Sequence, residues 1–124
     1  MTVTAQDTYD HFIGSGALSY SWYQEVAIDG TGDAGDVTGN SWTLRFVETG
    51  DDGPGMSREV THRGVMRAVR ELASAKGSDV EHLSRSCRRE CQALVFKGAD
   101  EADFDAGTAD EVIQYAALGE IVYG

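Results

Sequence analysis

The sequence predicts an α+β domain in which a three-stranded antiparallel sheet, within residues 19–60, is followed by three helices packed on one of its faces. Three observations carry that reading. Two early runs alternate apolar and polar side chains with the period of a strand, and the second half repeats its apolar residues with the period of a helix. All strand-like runs precede the main helical ones, an order that separates α+β domains from alternating α/β ones. The chain has 124 residues, the length of one domain with one core, and 1–124 is read as a single unit.

Residues 1–16 form a polar N-terminal arm with about one turn of helix, held down by Phe12 and Ile13. In SYSWYQEVAI, alternate positions place Tyr20, Trp22, Gln24, Val26 and Ile28 on one face and Tyr23, Glu25 and Ala27 on the other. In SWTLRFVE, Trp42, Leu44 and Phe46 share a face opposite Thr43, Arg45 and Val47, so the two runs read as an antiparallel pair. The stretch between them, Asp29 to Asn40, is too glycine-rich and too long for a tight hairpin turn. Glu48 to Met56 is a second turn region, and Ser57 to Val60 a short third strand with Val60 inward.

The remainder, 61–124, is the helical part. Thr61 is placed to cap a helix whose inner stripe is His62, Val65, Met66, Val69, Leu72 and Ala73, with Gly77 as its stop. The next helix starts between Ser78 and Ser84 and reaches about Phe96, turning Leu83, Cys87, Cys91 and Leu94 inward and arginines outward. Thr108 and Glu111 have the spacing of a capping box for the last helix, with Val112, Ile113 and Ala116 buried. Gly119 is the expected stop, and Ile121 to Tyr123 an extended tail.

The charge layout is uneven. The net charge is −11, yet residues 57–97 hold 9 basic and 5 acidic groups, whereas 1–56 hold 9 acidic and 1 basic and 98–124 hold 7 acidic and none basic. Such a chain is soluble, repels nucleic acid and anionic membrane at large, and attracts basic partners. No apolar run approaches the roughly 18 residues of a membrane span, and the N-terminus has neither the charged nor the apolar region of a signal peptide, so the chain reads as cytosolic. Cys87 and Cys91, four apart on one helix, suit reduced thiols better than a disulfide.

The phrases SYSWY, VTHRGVMRAVREL and ADFDAGTADEVIQYAALGEIVYG resemble, across Ser19 to Gly124, small acidic uncharacterised proteins of actinobacterial phages and related mobile elements. That resemblance implies an accessory protein working in the cytoplasm of a bacterial host cell. It implies no catalytic or binding residue.

Candidate sites fall into two sets. Asp29, Asp33, Asp36, Glu48, Asp51, Asp52, Asp100, Glu101, Asp103 and Asp105 form acidic flanks, whose carboxylates could occupy the positions of DNA phosphates on a protein with a basic cleft. Their plainer role is turn chemistry on a solubilising surface. Arg63, Arg67, Arg70, Arg85, Arg88 and Arg89 form a basic surface suited to phosphate or an acidic protein patch, unless they pair with the chain's own carboxylates. Asp29, Thr31 and Asp33 match the start of a calcium loop, but Ala34 and Asn40 stand where it needs glycine and glutamate. His62 and His82 lack helical register with Cys87 and Cys91 for zinc, and small buried hydrophobes account for the cysteines. No nucleophile setting or phosphate loop is visible, so neither enzyme nor cofactor is expected.

The leading expectation is a non-enzymatic acidic protein that docks on a bacterial host protein and modulates or inhibits it, a DNA-processing or defence enzyme being the sharpest target. The alternatives are a nucleic-acid-contacting module using the arginine surface, and a structural or assembly subunit that self-associates through Tyr9, Phe12 or Tyr23.

Overall fold

The computed structural model of the chain describes residues 3–30, 42–49 and 55–123. The fold is α+β. Strands β1 (Tyr23–Asp29), β2 (Thr43–Glu48) and β3 (Ser57–Thr61) form an antiparallel sheet in the order β1-β2-β3. Among the described residues four α-helices accompany it: α1 (Ala5–Thr8), α2 (His62–Ala73), α3 (Arg85–Phe96) and α4 (Ala106–Leu118). That is one more than the three expected, and α1 precedes the sheet rather than following it.

The N-terminal arm belongs to the core. Thr4 and Asp7 cap α1 reciprocally, at 3.1 and 2.9 Å. The helix then widens into one π-helical turn, Tyr9–Ile13, closed by the Gly14 N–H on the Tyr9 carbonyl at 2.9 Å. That turn carries Phe12, fully buried, against Phe104 with ring centroids 4.6 Å apart. Burying such a ring contributes roughly 1.5–3 kcal/mol. A polar joint adds to it: the Trp42 indole N–H donates to the Ala5 carbonyl (3.1 Å) and to Thr8 Oγ1 (3.0 Å), and Thr8 Oγ1 meets His62 Nδ1 at 2.8 Å. Strand, arm and the start of α2 are thereby joined.

The inner face of β2, made of Leu44 and Phe46 with Trp42 just ahead of the strand, is buried as its alternation predicts, and Val60 of β3 lies beside Leu44. The assignment for β1 fails. A bulge sets Glu25 and Val26 opposite Phe46, with Glu25 at φ 50°, so Tyr23 lies on the same face as Ile28 instead of the opposite one. One inserted residue reverses every side chain on one side of it. Tyr23 and Trp22 are both buried, while Val26 and Ile28 remain about two-fifths exposed at 40% and 38%.

Two helix boundaries also differ. The α2 helix ends at Ala73, and Gly77 follows in a 3₁₀ turn. A Cβ on Gly77 would lie 1.9 Å from the Leu72 carbonyl oxygen, so close approach rather than helix termination requires glycine there. The α3 helix begins at the far end of the expected range, capped by Ser84 on the Cys87 N–H at 3.0 Å. The capping box of α4 is Asp105 with Thr108, not Thr108 with Glu111. Glu111 serves α3 instead, accepting the Ser84 N–H and hydroxyl, both at 2.7 Å. Thr61 and Gly119 act as expected, Gly119 with φ 77°.

Besides Thr108 of the capping box, two polar residues on α4 are buried. Asp110, 7% exposed, accepts from the Trp22 indole (2.9 Å), the Tyr23 hydroxyl (2.7 Å) and the Gln114 amide (2.8 Å). Fully buried Gln114 holds the tail, accepting the Val122 and Tyr123 N–H groups (both 2.8 Å) and donating to the Tyr123 carbonyl (2.9 Å). The Tyr123 ring stacks on Trp22 at 4.9 Å and 14°.

Candidate docking surface

Helices α2 and α3 pack against each other and present most of the basic groups. On α2, Arg63, Arg67 and Arg70 are exposed and lie within an arc of about 60°, because residues four and seven apart return to one side of a helix. The buried stripe of Val65, Met66, Val69, Leu72 and Ala73 fixes that orientation. On α3, burial of Cys87, Cys91 and Leu94 turns Arg85, Arg89, Gln92 and Phe96 the other way. Phe96 is seven residues beyond Arg89 and four beyond Gln92, which sets an apolar ring within the arginine stripe; it is 69% exposed.

Of the six arginines, only Arg89 forms an ion pair among the described residues, with Glu90 at 3.4 Å. An internal clasp between these arginines and the chain's carboxylates is therefore not what holds the described fold together. Arg88 instead ties two helices, its guanidinium donating to the Ser74 carbonyl at 3.2 Å, and Gln92 donates to the Ala73 carbonyl at 3.4 Å. A cation at the end of α2 meets the negative end of that helix dipole. The Arg88 Nε–H is buried without an acceptor among the described residues.

The acidic set divides. Asp33, Asp36, Asp51 and Asp52 lie outside the described residues, as do Thr31, Ala34 and Asn40 of the calcium-like stretch. Asp29 pairs with Arg45 in a charged ladder across the sheet that continues to Glu59 at 3.1 Å. Glu48 is paired with Arg58 at 2.9 Å and accepts the Tyr123 hydroxyl at 2.6 Å. The Tyr123 hydrogen bond, then Arg58, hold its carboxyl below the ordinary glutamate range. Asp105, as the α4 cap, is lowered chiefly by the Thr108 backbone N–H. Asp100, Glu101 and Asp103 are exposed, and their carboxylates make no ion pair among the described residues.

The remaining candidates sit in the core. Cys87 and Cys91 are fully buried free thiols, and the Cys87 thiol, donating to the Thr108 carbonyl at 3.4 Å, is pushed up by its hydrogen-bonding contact with the Cys91 thiol and by burial. That shift opposes the thiolate a metal needs. No group of three His, Cys, Asp or Glu side chains comes together among the described residues. Phe12 and Tyr23 are buried, so of the three rings only half-buried Tyr9 keeps exposed surface. Phe96, which local periodicity marks only as the end of a helix, is detectable from its spacing to Arg89 and Gln92.

No helix among the described residues is long and apolar enough to cross a membrane. No family model matches the chain, and no curated protein or solved structure matches it either.

Proposed function

We propose that the chain is a non-enzymatic binding protein that docks on a protein of the cell it works in, as a phage-type accessory protein modulating a host enzyme would. The observation that carries the reading is the combination on α3 of a largely exposed Phe96 with Arg85 and Arg89, extended on α2 by Arg63, Arg67 and Arg70. Aromatic and arginine side chains are the groups that anchor protein interfaces. Arg63, Arg67, Arg70 and Arg85, which pair with no carboxylate among the described residues, favour a partner that brings the acid. The net charge of −11 opposes a long polyanion such as nucleic acid more than a protein whose acidic groups are confined to one patch facing these arginines. A second reading keeps the acidic surface, now reduced among the described residues to the unpaired Asp100, Glu101 and Asp103, as the face that meets a basic cleft.

One experiment separates them. The tagged protein, its Arg85→Glu/Arg89→Glu/Phe96→Ala variant and its Asp100→Lys/Glu101→Lys/Asp103→Lys variant are used in parallel to capture partners from host lysate at low and high salt. Loss of the same captured protein in the first variant alone supports the arginine face, and loss in the second alone supports the acidic one. Capture unchanged in both removes both surfaces. A rise in DNA binding that the arginine variant abolishes would replace this reading with the nucleic-acid one.

A further inference from the structure

A cavity of about 510 Å³ opens between the connection that follows α2 and the C-terminal end of α4. Val80, Ile121, Val122 and the Tyr115 ring supply apolar walls, and Glu81 and Glu120 supply carboxylates. Its volume lies in the usual range for small-ligand sites. No lysine or arginine among the described residues lines it, and neither carboxylate makes an ion pair or a side-chain hydrogen bond with a described residue.

Two further features favour a cation there, and a third shapes the wall. The C-cap of α4, Gly119, belongs to its wall, and the last turn of that helix carries no basic residue. The carbonyls of Ala116, Ala117 and Leu118 receive no N–H from a described residue outside the helix, which leaves the negative end of the dipole open. Tyr115 donates its hydroxyl to Glu71 at 2.9 Å, a carboxylate that also pairs with Lys76 at 3.5 Å, and this bond fixes the ring in the wall. His82, also in the wall, is held at φ 68°, a left-handed conformation uncommon for a residue with a side chain, in the turn that bears Glu81.

We propose that this cavity binds an alkylammonium group, an amine on an apolar stem, supplied by a free polyamine or by a lysine side chain of a partner. The stem lies along Val80, Ile121 and Val122. The ammonium meets Glu81, Glu120 and the face of the Tyr115 ring, with the negative end of α4 behind Gly119, a set of partners matched to a compact cation with three N–H donors. The site uses none of the residues of the arginine face, so the two proposals stand or fall separately.

The test is titration of the isotopically labelled full chain with cadaverine in one arm and with an acetylated, amidated Gly-Lys-Gly peptide in the other, followed by amide NMR. Saturable shifts confined to Val80–His82 and Gly119–Val122 are expected, and the arm that saturates identifies the source of the amine. Glu81→Gln/Glu120→Gln, at two exposed positions, should weaken binding at least about tenfold by removing both anionic partners. Val122→Lys, which places the chain's own ammonium in the cavity, should abolish the response. Shifts that spread over all carboxylates without saturating, no shift in either arm, or a response unchanged in the double variant would overturn the proposal.

Discussion

Replacing Asp110 by alanine removes the acceptor for two donors that have no alternative in the core, the Trp22 indole N–H at 2.9 Å and the Tyr23 hydroxyl at 2.7 Å. The third donor, the Gln114 amide, keeps the Tyr123 carbonyl at 2.9 Å. Each orphaned buried donor costs about 1–3 kcal/mol. Part of that is returned, because Asp110 is 7% exposed and has no basic ion-pair partner among the described residues, so its own desolvation penalty disappears with it. The expected net loss is about 2–4 kcal/mol, within the roughly 5–15 kcal/mol of a typical domain, so the variant still folds. With a urea m-value of about 1–3 kcal/mol/M, the midpoint moves down by about 1–3 M, read by tryptophan fluorescence and far-ultraviolet circular dichroism. Tyr23→Phe alone should cost about 1–2 kcal/mol, but close to nothing in the Asp110→Ala background, where the hydroxyl has already lost its acceptor. An Asp110→Ala loss below about 0.5 kcal/mol, or equal costs of Tyr23→Phe in both backgrounds, would falsify the view that this carboxylate organises the core.

Other perturbations have equally defined outcomes. Gly119→Ala should lower stability by about 1–2 kcal/mol with little structural change, since a Cβ there meets nothing within 4 Å and only φ 77° is at stake; a neutral result in urea melts would deny the left-handed cap. His82→Gly should raise the thermal midpoint while His82→Ala should not, because only glycine relieves φ 68°. Burial, followed by Arg70 and Arg63, holds the His62 imidazole below its usual 6.5, so the unfolded chain takes up that proton first. Stability from this group is present above pH 6.5 and lost as pH falls toward the lower folded value; His62→Gln should flatten that part of a stability–pH curve. The lowered Glu48 carboxyl acts below it: its contribution is present above pH 4.5 and lost as pH falls through the folded value, and Glu48→Gln should remove that second slope.

Much of the fold is legible because it rests on repeats a linear chain displays. The β2 alternation, the α2 stripe, the inward cysteines and the caps at Thr61 and Gly119 are all local patterns. The face assignment of β1 fails because a bulge inserts one residue at Glu25 without a glycine to announce it. The capping box of α4 is misread because Glu111 has the right spacing to Thr108 but is needed across the core at Ser84. Among candidate site residues, the outward placement of Arg63, Arg67, Arg70, Arg85 and Arg89 follows from helical spacing. The roles of Arg88 at the Ser74 carbonyl and of Glu48 with Arg58 and Tyr123 do not, since each joins elements distant along the chain.

The sequence by itself determined which residues turn inward along β2, α2 and α3 and that basic groups gather between two acidic flanks. Those properties depend on the period of a backbone and the transfer of side chains from water, both of which act over a few residues. Only the tertiary structure decided which carboxylates are engaged, which arginines stay without one, and that Asp110 and Gln114 are core residues while Phe96 is not. An ion pair or a satisfied buried carboxylate depends on distances across the fold, and residues 22, 23 and 110 become neighbours only once the sheet and α4 have come together.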